Sequence, residues 1–229
     1  MKKRPVIIPS RSCGFRANRV IRLGMILAMC SATTHAATWD GDTSALWSNA
    51  GNWDALPAAT GESLIFAGAN NLSNTNDLVT GIAGLTFNSG AGAFILGGNA
   101  ITIASGGSIT NNSGSLQTIA FAPTNAGTTN VNATSGAITF TGKLTNNMLN
   151  VSGPNLVTLQ GSTSNVGLGA TINNGATLVL ANSTGNAIVN TVNINAGGTL
   201  RLNGSGTDQI HFNQTVQLNG SGAVFDLNG

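Results

Sequence analysis

The chain has 229 residues, 7% charged and 5% aromatic, with 31 Gly, 5 Pro, no Tyr and a formal charge of +2. So few charges exclude a coiled coil and a charge-solvated disordered tail, and glycine without a three-residue period excludes collagen. Lys2, Lys3, Arg4, Arg11, Arg16, Arg19 and Arg22 hold most of the basicity, leaving Lys143 and Arg201 against seven acids further on. Two isolated cations do not neutralise a row of phosphates, so the composition argues against nucleic-acid binding.

In chain order, residues 1–22 are basic and free of acids, Leu23 to Ala32 form a short apolar run, and Thr34-His35-Ala36 supplies small residues for cleavage. This three-part layout predicts a secretory signal peptide over 1–36, cut after Ala36. The apolar run falls short of the ~20 residues that span a bilayer as a helix, and no later stretch is long and apolar enough. The expected location is extracellular or at the cell surface, and periplasmic if translocation stops short. Cys13, Cys30 and His35 all lie in this segment, so the mature chain keeps His211 as its only histidine and has no disulfide. It must be held by burial and backbone hydrogen bonds.

Residues 37–83 differ in composition, carrying Trp39, Trp47 and Trp53 and five of the seven acids. If coils follow, their terminal one needs cover for its apolar end and strand edges, so this segment is predicted to be an N-terminal cap. Two further readings compete. Exposed tryptophans would stack on sugar rings and make the segment a carbohydrate-binding module. Asp40-Gly41-Asp42 would open a calcium loop, but such a site needs roughly six to eight oxygens and a late bidentate Glu, and Glu62 is too distant. No metal ligands are assigned.

From Gly84 to the last residue, short runs alternate Ile, Leu, Val or Phe with Thr, Ser or Asn, and Gly or Asn pairs interrupt them. Examples are Leu85-Thr86-Phe87, Ile101-Thr102-Ile103, Ile138-Thr139-Phe140 and Val192-Asn193-Ile194. Period-two alternation predicts strands with one buried face, and the Gly and Asn pairs predict tight turns. Ile172-Asn173-Asn174-Gly175-Ala176-Thr177-Leu178-Val179-Leu180 aligns without a gap on Ile194-Asn195-Ala196-Gly197-Gly198-Thr199-Leu200-Arg201-Leu202. A looser copy follows through Val216, Leu218, Phe225 and Leu227, and Val157-Thr158-Leu159 precedes them. A fixed long period in all-β sequence predicts a right-handed parallel β-helix, one coil per repeat, over 84–229. At about 22 residues a coil, the mature chain supplies roughly eight or nine coils. A β-sandwich shares the short strands but has no reason to repeat residue types at that period. A disordered tract would not alternate so regularly.

Thr38-Trp39-Asp40-Gly41, Trp47-Ser48, Gly51-Asn52-Trp53, Gly61 to Gly68 and Leu85-Thr86-Phe87-Asn88-Ser89-Gly90 together resemble the N-terminal region of bacterial autotransporter-associated β-strand repeat proteins. The Gly197 to Gly206 stretch resembles the repeat itself. The resemblance covers most of 38–229 and implies a secreted β-solenoid passenger region, without assigned activity and without catalytic residues to carry over. Such autotransporters end in a membrane barrel and related proteins in a sorting tail. This sequence stops at Asp226-Leu227-Asn228-Gly229 inside a repeat, so a C-terminal truncation is expected.

The function expected is a non-catalytic secreted or surface scaffold with an adhesive role, its partners extracellular glycans or other surface proteins. No catalytic residue and no cofactor is assigned, since proton carriers tuned near neutrality are scarce. The alternative is a polysaccharide-active β-helix enzyme, which needs two carboxyls roughly 5 to 9.5 Å apart. Asp208 and Asp226 lie close to one coil apart, with Arg201 and His211 nearby in sequence, and form the one cluster to inspect.

Overall fold

Alternating apolar and β-branched polar residues fit a pleated surface buried on one side. The computed structural model describes residues 36–206 and 208–228, and the signal segment expected over 1–36 lies, save for Ala36, outside them. Among the described residues the strands form a ten-stranded and an eight-stranded sheet, and a single 3-10 turn, Ala50–Asn52, is the only helical element. Neighbouring strands pair in parallel throughout both sheets, which a sandwich of hairpins does not do.

The chain is an all-β parallel solenoid of about seven turns. One rung runs the whole way: Ala37, Leu64, Leu85, Ile109, Val131, Val151, Ile172, Ile194 and Leu218 are successive partners. The stack starts at Ala37–Trp39, which pairs in parallel with Leu64–Phe66. Glu62–Phe66 and Ser73–Asn76 follow, both paired to the next coil. Residues 37–83 therefore contain a first coil as well as the Trp-bearing opening.

Each coil has three flats. The long strand Ile101–Asn111 shows how: Ile101 to Ile103 pair with Pro123–Asn125, and Ser108 to Thr110 pair with Thr129–Asn132. The ten-stranded sheet thus bends into a first and a second flat, and the eight-stranded sheet supplies the third. Inward positions fill the interior: Ile138, Val157, Leu178 and Leu200 form one buried row on the third flat. Corners bring backbones together. A Cβ at Gly98 (φ 95°) would strike the Asn76 carbonyl, and one at Gly153 (φ 94°) the Ala133 carbonyl, each in the coil below.

Where a corner turns inward, its backbone groups need partners, and buried amides supply them. Asn165 accepts from the Leu144 N–H (2.8 Å) and donates to the Ala187 carbonyl (2.8 Å), tying three consecutive coils. Gln209 accepts from Asn182 N–H and donates to its carbonyl, both at 2.9 Å. On the outside of the second flat, Asn150 donates to Asn130 (2.9 Å), Asn173 to Asn150 (2.7 Å) and Asn195 to Asn173 (3.1 Å), a lateral ladder over four coils.

Candidate functional site

The opening segment folds over the first coil. Trp39 and Trp47 are fully buried and Trp53 is 4% exposed. Trp53 meets both others edge-on, at 5.1 and 5.8 Å between ring centroids, and Phe66 packs against all three. Each indole N–H is spent internally: Trp47 on Asn74 Oδ1 (2.8 Å), Trp53 on the Trp47 carbonyl (2.9 Å) and Trp39 on the Asn70 carbonyl (3.4 Å). The rings form cover for the stack and offer no exposed face for a sugar to stack on, which corrects the carbohydrate-binding reading of these tryptophans.

The Asp40-Gly41-Asp42 loop is occupied in the same way. Asp42 Oδ1 accepts from the Asn70 amide (2.8 Å), and Asn71 donates to the Gly41 carbonyl (2.6 Å). Asp77 docks the opening onto the third flat, accepting from the Ser48 N–H (2.8 Å) and hydroxyl (2.6 Å). Burial raises the Asp77 carboxyl, and the hydrogen bonds from Ser48, with those from the Asp77 and Trp47 N–H groups, outweigh it, leaving the group below its ordinary value. Among the described residues no three His, Cys, Asp or Glu side chains come together as metal ligands would.

Of Asp208, Asp226, Arg201 and His211, the structure pairs Asp226 with Arg201 and gives Asp208 and His211 other contacts. On the third flat the last coil is the longest, so Asp226 stands in register with Arg201 and pairs with its Nε at 2.7 Å. That hydrogen bond, with one from the Asn228 N–H and the Arg201 charge, holds the Asp226 carboxyl below the usual range. Asp208 instead lines a cavity of about 710 Å³ at the end of the stack, beside Leu202 and Phe225. The Asp208 carbonyl accepts from Asn186 (2.8 Å). His211 leans on Phe212, 4.5 Å between centroids, and its Nδ1 meets Asn213 Oδ1 at 2.7 Å. Asp226 is thus committed to a guanidinium on an outer flat, while Asp208 lines the end cavity.

One concave surface lies on the outside of the third flat. Thr158, Val179 and Arg201 are successive partners on Leu156–Leu159, Thr177–Leu180 and Thr199–Leu202, and their outward side chains form its floor. Leu156 and Gln160 border it at one coil, and Ala181 and Asn203 continue it along the next two. The groove has a volume of about 470 Å³. Sequence reading had the register that builds it, in the Leu-x-Leu alignment, but not the meaning of x. The residues at x and just beyond each strand line the outer surface, and Gln160 and Asn203 carry no motif that singles them out. Among the described residues no helix is long and apolar enough to cross a membrane. No protein-family model, curated protein or solved structure matches the chain.

Proposed function

We propose that the chain is a non-catalytic scaffold, exported and displayed at or beyond the cell surface, which holds an adhesive outer face rigid. The supporting observation is the division between inside and outside. Along the second flat the inward rung is aliphatic on every coil from Leu64 to Leu218. The neighbouring outward positions are uncharged hydrogen-bonding side chains: Ser108, Asn130, Asn150, Thr171, Asn193 and Gln217. Such rows present many weak, sequence-tolerant contacts from a backbone already ordered, which suits adhesion more than chemistry. Export rests on the three-part layout of residues 1–36, and the autotransporter-associated repeat resemblance fits a parallel coil of this period.

The test is incubation of the purified chain with a panel of cell-wall and plant polysaccharides, reading retention and reducing ends together. Retention, or indifference, without reducing-end release is expected. Release that disappears in Asp208→Asn or Asp226→Asn would replace the scaffold with an enzyme. Expression of the full sequence in a bacterial host, with N-terminal sequencing of the product, tests export: the mature chain should begin at Ala37.

A further inference from the structure

We propose that the groove on the third flat binds a short stretch of an extended, uncharged polysaccharide. Its volume of about 470 Å³ lies within the ~300–1,000 Å³ typical of small-ligand sites. Its lining mixes apolar and neutral polar groups: Leu156 and Ala181, with Val179 nearly buried at 4% exposure in the floor, against Thr158, Gln160, Asn203 and two serines. A sugar ring has the matching chemistry, with a C–H face that packs on aliphatic side chains and hydroxyls that exchange hydrogen bonds with amides and alcohols. The groove crosses three coils stacked at ~4.8 Å and extends at least as far along the strands, at ~3.3 Å per residue, so it is wide enough for a short run of sugar rings.

Competing ligand classes fit less well. An extended peptide gains most of its affinity by adding a strand to a sheet edge, whereas here every floor strand is paired on both sides. An anionic chain would need free cations, but Arg201 is the one charged group in the lining and already holds Asp226 at 2.7 Å. With Nε committed, the guanidinium still has its Nη hydrogens to donate to a neutral hydroxyl. The in-register backbone fixes the floor before binding, which lowers the ordering cost of association. The site is separate from the buried tryptophans and meets the end cavity that holds Asp208 at Asn203 and Ser205. The inference rests on the scaffold reading in one respect, that the bound chain is held and not cleaved.

Titration calorimetry of the full chain tests it, using cello-, xylo- and manno-oligosaccharides as neutral probes and oligogalacturonate as the charged comparator. At least one neutral series should bind, and oligogalacturonate should bind at least tenfold more weakly than that series. Ala181→Trp fills the groove, and Gln160→Ala with Asn203→Ala removes polar partners without added bulk. Each should weaken the neutral ligand at least tenfold, with circular dichroism unchanged. Thr110→Trp, on the second flat, should leave it unchanged. The proposal is overturned by no binding from any neutral series, by preference for oligogalacturonate, or by affinity insensitive to both groove variants. Binding lost equally in Thr110→Trp would also overturn it. Reducing-end release in the same samples would instead contradict the scaffold reading, while retention insensitive to the groove variants would leave that reading standing.

Discussion

The two ends of the stack are built from the same coil and finished differently. At the first coil, Phe66 is fully buried beneath Trp39, Trp47 and Trp53. At the last, Leu218, on the rung where Leu64 is buried, is 54% exposed, Leu227 is 65% exposed and Phe225 is half-buried. Parallel pairing reaches both ends and is the more regular at the last. The first coils have register shifts at Glu62/Ser63 and Ile82/Gly84, so the hydrogen-bond ladder does not account for the deeper burial at the first. In a linear array each coil is stabilised by its neighbours, and a coil with one neighbour is held by about half the interface of an interior one. The contrast predicts that cover, not strand pairing, sets local stability.

The contrast can be broken most severely at the cap. Trp47→Ala should cost about 3–5 kcal/mol by removing a buried aromatic and leaving a cavity, and should leave Asn74 Oδ1 without its indole donor. Urea unfolding followed by tryptophan fluorescence reads this directly, because all three tryptophans sit in the opening segment. In mid-stack, Leu178→Ala should cost about 2–5 kcal/mol, since Leu178 is fully buried between Val157 and Leu200. Asn165→Ala should cost about 1–3 kcal/mol, the penalty for stranding the buried Leu144 N–H and Ala187 carbonyl. Circular dichroism melts of both variants check these values. At the open end, Leu218→Ala should shift stability by no more than ~0.5 kcal/mol, as for other exposed positions. A large loss there would mean the last coil is covered in solution.

A smaller effect is tied to pH. The Asp77 carboxyl lies below its ordinary value in the fold, so its contribution is complete above the unfolded value of roughly 3.9. It fades as pH falls through the folded value. Acid should therefore loosen the docking of Ser48 before it disturbs the aliphatic rungs. Asp77→Asn should remove that step from an acid titration of tryptophan emission, and a step that persists in the variant would assign it elsewhere.

Much of this architecture was legible because apolar side chains on inward positions must recur once per coil. The gap-free match of Leu178-Val179-Leu180 with Leu200-Arg201-Leu202 is a direct record of register, and the structure pairs those residues in that order. The first coil was harder to read because Ser73–Asn76 has no apolar residue at all. Its inward positions are Asn74 and Asn76, which serve the Trp47 indole and the corner at Val79. Polar inward positions break the alternation that marks a strand. Pro123–Asn125 was missed for a related reason, being short and without an aliphatic residue. The Asp208 and Asp226 pairing failed on spacing: an 18-residue separation approximates one coil only if the coil length is constant. The last coil, from Arg201 to Asp226, runs longer, which places Asp226 on Arg201. The groove on the third flat was implicit in the register and invisible in residue type, since Thr, Gln and Asn there look like ordinary solvated positions.

The claim on which all of this depends is parallel, in-register stacking, and paired cysteines measure it most directly. With Cys13 and Cys30 replaced by Ser, Thr171→Cys and Asn193→Cys fall on directly opposed positions of adjacent coils. Their Cα atoms should be about one strand spacing apart, ~4.8 Å, inside the ~4.4–6.8 Å that a disulfide bridges. Mild oxidation should cross-link this pair within one chain, while Thr171→Cys with Asn195→Cys, two residues out of register, should stay reduced. Cross-linking of the second pair in preference to the first would contradict the stack.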